Sequence, residues 1–435
     1  MENIVPQTQE TIAAKRARRI SERLRESRLP GLVTPGKWGG RLVEFTALIV
    51  LVALNYYLTA PLMGTAAVIA PFSGPAIPYL ANLLSRIVSL PFIYAVQLVQ
   101  ILFFLFFPVT FYFLISFLTG RKLAAIIAVL TATVPEYFFA KSRLSAGFTG
   151  NDGPHIASLG IMPLAIYSLM AFLRFGGRHN LLIAAFLSTA IVLISPFGFL
   201  TYLIFAVLAA FSEMLLGHGR LKLLRFLIVF LIAGALAAFW YNPVFAWWMV
   251  SGPLGREMRQ VLANLIPLSL FIVPVLGAFG FLLFDRKANL QPVFLASFWT
   301  IVFVLIAMAG LHGFLSSSSS RYYPELGIAL ALLAGMATVK INDTLQNRFP
   351  WPNMAGLLIA VVLITLIIWM GGKTALPAGE ELAQGLDQTA KSHLWLAKDG
   401  FDGWSRVIGD LLTFVTLAAL VLLEIYPRTG KSLRS

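Results

Sequence analysis

The sequence predicts an all-α fold: a polytopic transmembrane helical bundle of about 12 spans with both termini cytoplasmic. Three observations predict it. Of the 435 residues, 58% are hydrophobic and 12% charged, with mean hydropathy +0.82, whereas a soluble domain is about 45–50% apolar and about 25% charged. The apolar residues fall in blocks long enough to cross a hydrocarbon layer of roughly 30 Å as helix. The lysines and arginines collect at alternating block ends, as the positive-inside rule requires. Together these exclude a soluble enzyme, a secreted disulfide scaffold and a disordered regulator. The absence of cysteine removes disulfides, thiolate nucleophiles, iron–sulfur clusters and Cys-ligated zinc.

Residues 1–41 form a basic cytoplasmic N-terminal arm. They carry no apolar h-region and are not a secretory signal. Thr11 to Ser27 reads as a basic helix with Ile12, Ile20 and Leu24 on one face, and Glu22 pairs with Arg18 and Arg25 at helical spacing. Two readings stand: a dock for anionic headgroups or a membrane-protein partner, and a solvated topogenic arm.

Residues 42–371 form a bundle of eleven spans, near 43–62, 90–118, 123–140, 156–174, 181–195, 198–216, 226–249, 264–284, 292–312, 324–339 and 354–371. The first outer loop, 63–89, is long and punctuated by Pro71, Gly74, Pro75 and Pro78. Within it Ile77, Leu80, Leu83, Leu84 and Ile87 recur at helical spacing, the pattern of a helix lying in the membrane interface. An outer interfacial loop, 372–408, places Leu382, Leu386, Leu394, Trp395, Phe401 and Trp404 among charged residues. Residues 409–435 supply the last span, 409–427, and a basic cytoplasmic tail. No repeat of 20–50 residues is evident.

With the N-terminus inside, every cytoplasmic segment is basic: Lys15 to Arg41, Arg121 with Lys122, Arg174 with Arg178, Arg220 with Lys222 and Arg225, Arg286 with Lys287, Lys340 with Arg348, and Arg428 with Lys431 and Arg434. The net charge of +14 therefore reports topology, not nucleic-acid binding. The pattern fits a cytoplasmic (inner) membrane of prokaryotic type. The partners it implies are membrane lipids.

Ionisable groups beside spans are the candidates for chemistry, because burying charge in lipid is costly. Glu44, Glu213 and Glu424 lie within reach of the cytoplasmic interface and can snorkel or pair there. Four outer segments carry polar residues: Glu136 with Lys141 and Arg143; Asn151, Asp152 and His155; Arg256, Glu257 and Arg259; and Arg321, Tyr322, Tyr323 and Glu325. Cations on that side run against the topological rule, and holding a phosphate or carboxylate is one reason for them. Local pairing, such as Arg321 with Glu325 at i,i+4, is the other reading.

The segment Ser142–Pro163 is the most informative. Gly147, Gly150, Gly153 and Pro154 make a tight loop that delivers Asn151, Asp152 and His155 to the start of a span. Asp152 fits a helix N-cap with Pro154 in the first turn. The alternative makes Asp152 or His155 a proton acceptor or a ligand to a sugar hydroxyl. The five histidines, His155, His179, His218, His312 and His393, show no metal-ligand spacing.

The order of features resembles polytopic membrane proteins of the GT-C glycosyltransferase superfamily, most of all the bacterial and archaeal group described as 6-pyruvoyl-tetrahydropterin-synthase-related membrane proteins. The resemblance rests on Gly150-Asn151-Asp152 followed by Pro163-Leu164-Ala165, and on Ser195-Pro196-Phe197-Gly198 at a span break. It also rests on Ala238-Phe239-Trp240-Tyr241-Asn242-Pro243 and on Ser320-Arg321-Tyr322-Tyr323-Pro324-Glu325. These motifs cover about 145–340.

The resemblance implies a GT-C-like fold and transfer of a sugar from a polyprenyl-phosphate donor to an acceptor on the outer face, with a divalent metal in some relatives. It casts Asp152 or Glu136 as the catalytic base. It casts Lys141, Arg143, Arg256, Arg259 and Arg321 as holders of the carrier phosphate, with Asn151, His155, Tyr322 and Glu325 as further substrate-binding residues. The superfamily places an acid in the first outer loop, but residues 63–89 contain neither Asp nor Glu and Arg86 is their one charge. A non-catalytic GT-C-like subunit of a larger membrane complex is therefore the first alternative. A lipid flippase or transporter is the second, and it would require ionisable residues at mid-span.

Overall fold

The structure is a computed structural model that describes residues 38–63, 74–149, 152–251, 259, 263, 290–311, 319–346, 354–371 and 403–425. The chain divides into two compact units, Met1–Phe45 and Thr46–Ser435. Of the first unit, residues 38–45 are described and are helical; the arm before them lies outside the described residues.

The described residues are helical, with no strand among them. The helices are α1 (Trp38–Thr59), α2 (Ala76–Val88), α3 (Phe92–Thr119), α4 (Lys122–Thr133), α5 (Ala140–Leu144), α6 (Gly153–Phe175), α7 (Arg178–Ile194), α8 (Pro196–Leu215), α9 (Gly219–Ala237), α10 (Pro243–Ser251), α11 (Gln291–Leu311), α12 (Tyr323–Gln346), α13 (Met354–Gly371) and α14 (Gly403–Ile425). Seven segments among the described residues are long and apolar enough to cross a membrane: Glu44–Leu62, Phe92–Thr119, Gly153–Phe175, Pro196–Leu215, Gln291–Met308, Tyr323–Leu345 and Gly403–Glu424. This is compatible with an integral membrane protein. Helices α4, α7 and α13 are apolar but shorter, and α9 carries three cations in its first two turns (Arg220, Lys222, Arg225). The expected span 264–284 and the loop 372–408 lie outside the described residues.

Two expected spans end differently from their reading. The span at 123–140 stops at Thr133 and resumes as the short α5, because Pro135 disfavours helical backbone before it and cannot donate into the helix. The span at 226–249 breaks at residues 238–242 into α9 and α10. There Pro243 opens a new helix, and Asn242 Oδ1 accepts from the Phe245 amide at 2.9 Å, a side-chain cap. The helix expected from the spacing of Ile77 to Ile87 is present as α2. It buries Ile77 and Ala81 and exposes Leu80, Leu83 and Ile87.

Helix α6 is the centre of the bundle, its apolar window 89% buried. It runs parallel to α3: Thr110 donates to the Gly160 carbonyl at 2.7 Å, and Phe117 meets Tyr167 edge-on at 4.9 Å. A Cβ on Gly160 would lie 2.3 Å from the Phe103 carbonyl oxygen. Only glycine permits that approach, as small residues do between membrane helices generally. Helix α12 packs antiparallel on α4, with Gly335 against Ala124 and Gly327 against Phe138. Helices α3, α6, α8 and α12 thus all begin at one end of the bundle, called here the loop end because residues 134–152 lie there.

Candidate functional site

At the loop end, α6, α8 and α12 bring their first turns together. Helix α6 contributes His155, two residues beyond its start, and Asp152 immediately precedes it. A single 3-10 turn, Ser319–Tyr322, leads into α12 and carries Arg321, while Glu325 sits in the first turn of α12 itself. Helix α8 opens on Pro196-Phe197-Gly198, capped by Ser195, whose Oγ accepts from the Gly198 amide at 3.0 Å. A Cβ on Gly198 would fall 1.9 Å from Ser158 Oγ, so this glycine lets α8 close onto α6. The Ser158 hydroxyl in turn donates to the His155 carbonyl at 2.6 Å.

The side chains form one line. Arg321 donates from Nε to Asp152 Oδ2 at 2.7 Å and from Nη2 to Asp152 Oδ1 at 3.2 Å, a two-point fork. His155 Nδ1 lies 3.2 Å from Asp152 Oδ2, and its Nε2 lies 2.6 Å from Glu325 Oε1. Two carboxylates flanking one imidazole are both satisfied when each ring nitrogen carries a hydrogen. Glu325 Oε2 is buried with no hydrogen-bond partner among the described residues.

Exposure gives the line a direction. The side chains of His155 and Glu325 are 0% exposed, against 13% for Asp152 and 26% for Arg321. The Arg321–Asp152 pair is the mouth and the His155–Glu325 pair the floor. Phe197 is the wall: the Arg321 guanidinium lies 3.5 Å over its ring, His155 meets it edge-on at 4.7 Å, and buried Tyr322 packs against it at 5.4 Å. Burial alone would raise the Asp152 pKa. The neighbouring His155 and Arg321 more than reverse this and hold its carboxyl well below the usual carboxylate range.

No protein-family model, curated protein or solved structure matches the chain.

The expected site residues do not all come together. Asp152, His155, Arg321, Tyr322 and Glu325 come together. Glu136 and Lys141 are exposed on the 134–144 segment, and among the described residues no hydrogen bond or ion pair joins their side chains to the cluster. Arg259 Nη1 donates to the Val250 carbonyl at 2.9 Å, a backbone contact within its own neighbourhood. Asn151 and Arg256 lie outside the described residues.

Three readings are corrected. The side chain of Asp152 makes no N-cap hydrogen bond, because Arg321 and His155 claim both its oxygens. Arg143 does not present its charge to the loop end: it is buried, 2% exposed, with Nη2 on the Ala132 carbonyl and its guanidinium 4.0 Å over Phe107. It neutralises the negative C-terminal end of α4, and burial lowers its pKa from the ordinary arginine value to about 9. The i,i+4 pairing of Arg321 with Glu325 also gives way, since each has a partner on α6 or just before it.

The divalent metal implied by the resemblance does not fit these residues. The two carboxylates lie on different nitrogens of His155 and converge on no common point. Among the described residues no group of three His, Asp or Glu could hold a metal.

A second ionic cluster closes the opposite end of the bundle. Glu213, fully buried, accepts on Oε1 from Arg174 Nε at 2.5 Å and Gln291 Nε2 at 2.8 Å, and on Oε2 from Lys222 at 3.1 Å. Gln291 Nε2 also reaches Ser212 Oγ at 2.9 Å. Both Glu213 oxygens are satisfied, which marks a structural clasp of α6, α8, α9 and α11. Glu213 was expected to snorkel or pair; it pairs. Sequence reading missed Gln291 and gave Phe197 no role of its own. Gln291 lies 78 residues or more from its partners and Phe197 lies 42 or more from the groups it walls in, and no local spacing connects them.

Proposed function

We propose that the chain is an integral membrane protein of GT-C type that transfers a sugar from a polyprenyl-phosphate donor to an acceptor hydroxyl. It would act on the outer face of a prokaryotic-type inner membrane, with about twelve spans and both termini cytoplasmic. One observation carries this reading: Arg321, Asp152, His155 and Glu325, from two distant segments, meet in one line whose mouth, Arg321 with Asp152, lies where three helices begin. A guanidinium and three helix N-termini favour a phosphate, and the carboxylate beside them supplies an acceptor for a proton.

In this reading Arg321 holds the carrier phosphate. The acceptor hydroxyl attacks the anomeric carbon and its proton passes to an Asp152 oxygen. The bond from the anomeric carbon to the phosphate oxygen breaks, and polyprenyl phosphate leaves with that electron pair, stabilised by Arg321. His155, braced by Glu325, fixes the orientation of Asp152. Glu136, exposed on the 134–144 segment, is the weaker candidate base.

The test is conversion of a polyprenyl-phosphate-linked sugar to polyprenyl phosphate by the protein in vesicles of its own membrane lipids. Wild type should convert it, Asp152→Asn should lose roughly 10²–10⁴-fold in rate, and Arg321→Ala should raise KM. Equal rates in all three would remove the assignment.

A specific observation favours the first alternative, a non-catalytic subunit: both oxygens of Asp152 are already engaged, as in a structural latch. Stable, stoichiometric co-purification with other membrane proteins, through the N-terminal arm or otherwise, would support that reading, and an active monomer would oppose it.

A further inference from the structure

We propose that Asp152 is the resident occupant of the phosphate position on Arg321, and that an incoming phosphate displaces it and so frees the carboxylate for chemistry. The inference rests on the reading of Arg321 as the phosphate holder and adds to it a competition inside the protein.

Three observations support the exchange. The fork from Arg321 Nε and Nη2 to the two oxygens of Asp152 is the geometry a guanidinium offers equally to a phosphate. The pair lies at the mouth, partly exposed, whereas the His155–Glu325 pair is sealed beneath it, so a ligand meets Arg321 and Asp152 first. Finally, neither partner is lost when they separate. Arg321 keeps its stacking on Phe197 at 3.5 Å, a face over which a flat cation can turn, and Asp152 keeps His155 Nδ1. The aspartate is thus tied off until the phosphate arrives, and the base becomes competent only with donor in place.

This has a consequence opposite to that of ordinary site residues. Removing the charge of Asp152 removes a competitor, so Asp152→Asn should bind a polyprenyl phosphate more tightly than wild type, by about tenfold for the loss of one charge-assisted fork. The experiment is a native mass-spectrometric titration with polyprenyl phosphate, using uncharged polyprenol as control. Tighter binding by Asp152→Asn for the phosphate, with no change for polyprenol, is the expected result. Equal or weaker binding overturns the exchange while leaving the phosphate-holder reading intact. If wild type does not distinguish polyprenyl phosphate from polyprenol, the underlying reading fails instead.

Because a site variant can misfold, a second measurement uses wild type alone. Carbodiimide labelling of Asp152 with a small amine, read by peptide mass spectrometry, should rise several-fold when polyprenyl phosphate is added. Labelling that stays constant or falls would contradict the exchange.

Discussion

His155 Nε2 lies 2.6 Å from Glu325 Oε1, across 170 residues of chain, and neither side chain has any exposure. This pair ties the start of α6 to the start of α12 inside a largely apolar bundle. Breaking a buried charged pair by removing one partner costs about 3–5 kcal/mol, because the other is left uncompensated. Glu325→Ala should therefore lower thermal stability in mild detergent by that amount. Glu325→Gln, which keeps an oxygen toward His155, should lose less. Equal melting of wild type and Glu325→Ala would show that the pair does not clasp the helices.

The clasp at the opposite end makes a separable prediction. Glu213→Ala leaves Arg174 and Lys222 without their shared carboxylate and should cost about 3–5 kcal/mol as well. Its effect on polyprenyl phosphate binding should be nil, since the two clusters occupy opposite ends of α6. Comparing melting with binding for this variant checks the separation, and a selective loss of binding would contradict it.

Packing at the wall is the third point. Phe197→Leu removes the face on which Arg321 rests and the ring that His155 meets edge-on. A cation–π contact is worth about 0.5–2 kcal/mol, so the expected change is a modest fall in stability with a larger fall in phosphate binding. Gly198→Ala should be the harsher change. The new methyl displaces Ser158 Oγ from the His155 carbonyl, and overpacking of this kind costs about 1–3 kcal/mol. Melting curves for the two variants test this order.

Acid should weaken the mouth. Asp152 has a folded-state pKa below its unfolded value of about 3.9. The stability it contributes is fully present above that unfolded value and is lost as pH falls through the folded one. Lowering pH below about 4 should destabilise wild type more steeply than Asp152→Asn. Parallel pH–melting curves for the two proteins would contradict the assignment.

The helices were largely legible because apolar length and basic ends are local properties: α3, α6, α8 and α11 lie within a few residues of their expected spans. The break at 238–242 was not, since a continuous apolar run through Trp240 hides the cap that Asn242 provides for a helix opening on Pro243. At the site, the residue types and their loops could be read, but not their partners. Arg321 and Glu325 look like an i,i+4 pair in sequence, yet Arg321 lies in a 3-10 turn before α12. It therefore does not stack over Glu325 as it would on one continuous α-helix. Arg143 misled for the converse reason, as only the fold of residues 134–144 turns it inward onto Phe104 and Phe107.

The most direct measurement is native mass spectrometry of wild type and Arg321→Ala extracted in a mild detergent, reading bound lipids and subunits together. A polyprenyl phosphate or its glycosylated form retained by wild type and absent from Arg321→Ala is the predicted result. Bulk phospholipid alone on both proteins, with stoichiometric partner subunits, would contradict it and identify the cluster as a structural latch.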